Sequence, residues 1–148
     1  MNPTLFAILA VILGGALTAL QGPTNARLAG AVASPVNAAL ISFAVGTVAL
    51  MILAAVLQTK PDMAATRALP PAAWLGGLYG AVFVVAAAYA VPKLGVATTI
   101  VLMVAGQMML SLILDHFGFM GVPKQPVTLT RLAGVAMLIG GVLLVRKA

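Results

Sequence analysis

Long apolar blocks alternate along the chain with short polar, proline-bearing breaks, and that rhythm predicts the elements. Five blocks separate, at about residues 3–28, 36–57, 74–91, 96–114 and 128–145. A helix rises about 1.5 Å per residue and the hydrocarbon core is about 30 Å thick, so about 20 apolar residues span a membrane. The fifth block, Leu132 to Val145, reaches that length only if Val127 to Arg131 joins it, with the Arg131 head group snorkelling to the interface. Trp74 opens the third block at a position suited to an interfacial belt, and Pro92 is expected to end it. The stretches Lys60–Pro71 and Gly118–Pro126 read as loops at headgroup level.

One break is unlike the others. After an almost unbroken apolar run from Leu5 to Leu20, the segment "QGPTNARLAG" places Gln21, Gly22-Pro23, Thr24, Asn25 and Arg27 within seven positions. This predicts a broken helix end at membrane depth, an arrangement tolerated only beside protein or water.

Composition fixes the environment. Of 148 residues, 63% are hydrophobic and 7% charged, where a soluble domain carries about 25% charged residues. The expected fold is an all-α membrane protein, with residues 1–148 forming a single transmembrane domain of five helices in a lipid bilayer. The first block lacks a basic leader and reads as a retained span rather than a signal peptide. The formal charge is +6, but the basic residues fall singly or in pairs between apolar blocks. They suit membrane anchoring, Arg27 among them, and no nucleic-acid partner is expected.

The distribution of that charge predicts more. With five spans, Lys60, Arg67, Lys124 and Arg131 lie on one side, and Arg27, Lys93, Arg146 and Lys147 on the other, four against four. Orientation follows a Lys/Arg bias between loops, and here there is none. Dual topology is therefore predicted, the alternative being a fixed orientation set by another determinant such as the N-terminus. Two oppositely inserted copies, paired about an in-plane axis, would form an antiparallel homodimer of ten helices with an inverted repeat.

Polar groups in the spans are the candidates for function. Gly14, Thr18, Gln21 and Asn25 recur at helical spacing on one face of the first span. On the fourth, Thr99, Gln107, Ser111 and Asp115 follow a four-residue rule, with Met103 in the gap. Tyr79 and Tyr89 add hydroxyls on the third span. Gln21, Asn25 and Gln107 are the first choices for lining a solute pathway, with Asn37, Thr18, Ser111, Tyr79 and Asp115 behind them. Gln107 reads equally as interhelical glue, and Asp115 with His116 reads first as a solvated cap rather than a proton relay. Gly14, Gly76, Gly80, Gly134 and Gly141 are expected at close helix contacts, within or between copies.

The sequence contains two aspartates and no glutamate. Proton-coupled antiport of cations relies on a carboxylate deep in the membrane, so a neutral or zwitterionic solute is the better expectation. No metal-binding histidine pair, nucleophile elbow or phosphate loop is present, so neither an enzyme nor a cofactor is expected.

The stretches "QGPTNARLA", "SPVNAALISFAVGTV", "WLGGLYGAVFVV", "PKLGVATTIVLMVAGQ" and "DHFGFMGVPKQPVTLTRLAGVAMLIGG", in this order along nearly the whole chain, resemble the short YdcZ-like family of the drug/metabolite transporter superfamily. The chain has Ala73-Trp74 where that family pairs tryptophans. The resemblance implies a five-span half-transporter in the bacterial cytoplasmic (inner) membrane, working as a dual-topology dimer and exporting a small molecule. A non-transporting accessory or structural membrane subunit is the alternative from another class.

Overall fold

The structure, a computed structural model, describes residues 2–147, and among these all regular structure is helical. The α-helices are α1 (Pro3–Ala31), α2 (Pro35–Val56), α3 (Met63–Arg67), α4 (Gly76–Leu94), α5 (Val96–Phe117) and α6 (Leu129–Lys147). Short 3-10 turns at Pro71–Leu75 and Phe119–Gly121 lead into α4 and follow α5. Helices α1, α2, α4 with its leading turn, and α5 are long and apolar enough to cross a membrane; Leu129–Val145 is a shorter apolar helix.

The first helix corrects one expectation. It does not break in "QGPTNARLAG" but runs on to Ala31 with Pro23 inside it. Proline has no N–H, so the bond to the Ala19 carbonyl four residues back is lost. Breaking the helix there would strip further backbone groups of their partners, which costs several kcal/mol per group in hydrocarbon. One missing bond is the smaller penalty. The Thr24 hydroxyl also donates to the Leu20 carbonyl at 2.8 Å. Pro92 likewise lies within α4, two residues before its end. The stop comes at Gly95, whose φ of 79° favours glycine.

Backbone hydrogen bonds make the α1–α2 link tight. The Ser34 N–H donates to the Ala29 carbonyl at 3.1 Å, and Val32 N–H to Leu28 at 2.9 Å. This is a Schellman-type ending in which Ala33, at φ 52°, occupies the left-handed position usually held by glycine. The Ser34 hydroxyl then caps α2 by accepting from the Asn37 N–H at 3.3 Å. The far end of α2 repeats the device, with Thr59 N–H donating to Ala54 at 3.0 Å and Gln58 at φ 53°. Asp62 caps α3 by accepting from the Ala64 and Ala65 N–H groups.

The chain packs as two compact units, residues 1–93 and 94–148. Small residues make up most of the buried set in the first: Gly22 and Asn25 of α1, Ala38 and Ala39 of α2, and Val84, Ala87 and Ala88 of α4. Their size lets backbones approach closely. A Cβ at Gly22 would lie 3.3 Å from Val91 Cγ2, and one at Gly80 would lie 3.3 Å from Phe43 Cζ. Asn2 through Thr18, by contrast, are exposed along their whole length. In the second unit the buried residues include Thr99 and Ala105 of α5 and Val135 and Val142 of α6.

Candidate solute pathway

Along α1 the predicted polar stripe passes through three environments. Gly14 and Thr18 are exposed, Gln21 is partly covered, and Asn25 is 3% exposed. The Thr18 hydroxyl donates to the Gly14 carbonyl of its own helix at 2.9 Å, so it needs no further partner. Asn25 differs: its amide nitrogen Nδ2 is buried without any hydrogen-bond partner. Rotating the amide by half a turn changes only which of its two polar atoms is left in that position. Asn37 stands exposed in the first turn of α2, and its own N–H is taken by the Ser34 cap. Tyr79, near the start of α4, is exposed.

An apolar groove of about 460 Å³ runs between the start of α2, at Pro35 and Val36, and the α4 residues Ala81, Val82, Val85, Ala86 and Tyr89. Lys93 lies one turn beyond Tyr89, with its Nζ 3.6 Å from the ring centroid. This cation–π contact fixes a basic group at the end of the groove. It engages the Tyr89 ring, which sequence reading treats only as a source of a hydroxyl.

In the second unit the stripe on α5 resolves into separate roles. Thr99 is buried, and its hydroxyl donates to the Gly95 carbonyl at 2.7 Å. Ser111, partly covered, donates to the Met108 carbonyl at 2.9 Å. Gln107 is exposed halfway along α5, at a depth where an amide facing hydrocarbon is costly. Asp115 is engaged in an ion pair, 3.3 Å from Arg131 Nη1. Around this pair the Arg131 guanidinium also reaches the carbonyl and side-chain amide oxygens of Gln125. The Gln125 N–H donates to the Asp115 carbonyl at 2.8 Å, and the Val127 N–H donates to His116 Nδ1 at 3.3 Å. The result is a polar clasp that ties the loop after α5 to both α5 and α6.

Gly118 makes the clasp possible. It ends α5 at φ 68°, and a Cβ there would lie 2.6 Å from Lys124 Cγ. Both observations require glycine. Of the five predicted packing glycines, Gly80 meets a neighbouring side chain. Gly14, Gly76, Gly134 and Gly141 have nothing within 4 Å of a built Cβ. Sequence reading misses Gly22, although its place three residues before Asn25 on the same face is a usable signal. It also misses the Asp115–Arg131–Gln125 clasp, whose ion pair joins positions sixteen residues apart.

Each of the two aspartates therefore acts locally, Asp62 as the cap of α3 and Asp115 as the partner of Arg131. Neither lies deep in a span. No curated protein and no solved structure matches the chain. A family model described as "Putative inner membrane exporter, YdcZ" matches residues 6–144. That match takes in the α1 stripe, the α4 groove, the α5 amide and the clasp, and the chain belongs to the YdcZ family so described.

Proposed function

We propose that the protein exports a small neutral or zwitterionic solute by alternating access, as an antiparallel homodimer of oppositely inserted copies. The observation that carries this reading is Gln107. Its amide is exposed at mid-span in a helix of membrane-crossing length, and a polar group at that depth requires protein or water beside it. A second copy supplies both, by covering the α5 face and enclosing a wet cavity. The four-against-four distribution of basic residues gives such a copy its inverted orientation. The solute class follows from the site chemistry, because amides and hydroxyls offer hydrogen bonds without a compensating charge. Gln21, Asn25 and Gln107 are its first contacts, and Asn37 and Tyr79 lie further out. Thr18 and Ser111, bonded to their own helices, shape the wall, and Asp115 holds the loop.

The reading depends on α6 crossing the membrane. If α6 lay in the interface, Arg146 and Lys147 would join the other side and the count would become six against two. Reporters of location fused to the C-terminus, with single arginines added or removed to bias insertion, test this directly. The parent is expected to report from both sides of the membrane. Two oppositely biased variants should each be monomeric in detergent and form a dimer when coexpressed. A parent reporting from one side only overturns the homodimer.

A further inference from the structure

We infer that the Asn25 amide is a solute contact which this conformation closes over, and that its unpaired polar atom bonds solute or water when the first unit opens. The inference rests on the transport reading and adds the identity and state of one contact.

Burial and bonding come first. Asn25 is 3% exposed and its Nδ2 has no partner. A buried donor left unpaired costs roughly 1–3 kcal/mol relative to its hydrated state. An amide kept for structure would be bonded across the helix contact, as buried polar groups nearly always are. Here the unit's other buried residues are glycine, alanine and valine, which offer no side-chain acceptor. The helix carbonyls that surround it are already engaged in helical bonds, the Ala19 carbonyl freed by Pro23 excepted.

Packing supplies the means of opening. Gly22, one turn before Asn25, meets Val91 through a contact that a single methyl group would crowd. Such an interface is thin, held by small side chains and by no interhelical hydrogen bond at Asn25. Pro23 sits between these two residues and removes one rung of the α1 ladder, which is where helices bend. Opening of the packing around α1 at this point would expose the amide and relieve the cost of its burial. The closed state is thereby destabilised and the open state is hydrated or filled.

The sequence has no cysteine, so a single introduced thiol reports its surroundings without background. Asn25→Cys, labelled by a charged maleimide in membranes opened to reagent from both faces, is compared with two references. Thr59→Cys lies in an exposed loop, and Leu50→Cys is exposed on an apolar stretch of α2. The Asn25→Cys rate is expected within about tenfold of the loop rate and at least about 100-fold above the Leu50→Cys rate. A rate as slow as that of Leu50→Cys overturns the inference. Asn25→Leu, similar in shape and without polar atoms, gives a second decision. Removing an orphaned buried polar atom should raise the thermal midpoint of the purified protein by about 2–4 °C. A lower midpoint would make Asn25 structural glue and also overturn the inference. Neither result depends on the topology reporters, so this contact and the dimer reading fail separately.

Discussion

The polar residues of the first unit and those of the second are handled in opposite ways. Around Asp115 each polar group meets another: carboxylate with guanidinium, guanidinium with Gln125, backbone N–H with His116. Glycine stands where the backbone turns left-handed at the start of that loop. In the first unit a buried amide goes unpaired; non-glycine residues take left-handed positions in both units, Ala33 and Gln58 in the first and Met120 in the second. The second unit's loop pairs its polar side chains. The first unit carries an unrelieved cost at Asn25, the condition expected of a part that changes state.

The largest effect that would sharpen this contrast comes from breaking the clasp. Asp115→Leu leaves the Arg131 guanidinium about one-third exposed and without its carboxylate. A loss of about 2 kcal/mol in unfolding free energy is expected, between the values for exposed and buried pairs. The double variant with Arg131→Met should recover most of that loss, and a cycle with no coupling would show the clasp to be ornamental. Next, Gly118→Ala should cost about 1–2 kcal/mol through its positive φ, with protease cleavage of the 119–128 loop as the readout. Smaller and opposite in sign, Ala33→Gly should stabilise the protein by up to about 1 kcal/mol, because the left-handed turn loses its Cβ strain. Loss of stability there would show that this turn of the first unit is relaxed. Least of all, Thr18→Val should fall within about 0.5 kcal/mol of the parent, because its hydroxyl bonds only its own helix.

The placement of the five long helices is legible in the sequence because apolar runs of this length have few other structures open to them, while the short α3 falls in a stretch read as a loop. Expected starts at 3, 36, 74, 96 and 128 meet helices or their leading turns beginning at 3, 35, 71, 96 and 129. The prolines mislead. Pro23 and Pro92 read as stops from soluble-protein experience, whereas in hydrocarbon the unpaired ends created by a break cost more than one missing bond. The α1 stripe is legible as a shared face, but spacing cannot say that Gly14 stays open while Asn25 is buried, because that depends on how the rest of the unit packs. The clasp escapes because an ion pair sixteen residues apart leaves no local period. Asp115 beside His116 advertises chemistry, and only the folded loop reveals that Arg131 occupies the carboxylate.

One simple measure, helix length, carries a consequence of its own. At 29 residues, α1 is about 44 Å long, while the 19 residues of α6 come to about 28 Å. A hydrocarbon slab of about 30 Å matches α6 standing upright, but α1 must tilt steeply or project beyond it. The mismatch is thus concentrated in the helix that carries Asn25 and Pro23. Acyl-chain length becomes a mechanical input: a thicker bilayer lets α1 stand straighter and a thinner one leans it over. Lipid thickness would then set the resting balance between closed and open amide before any solute arrives.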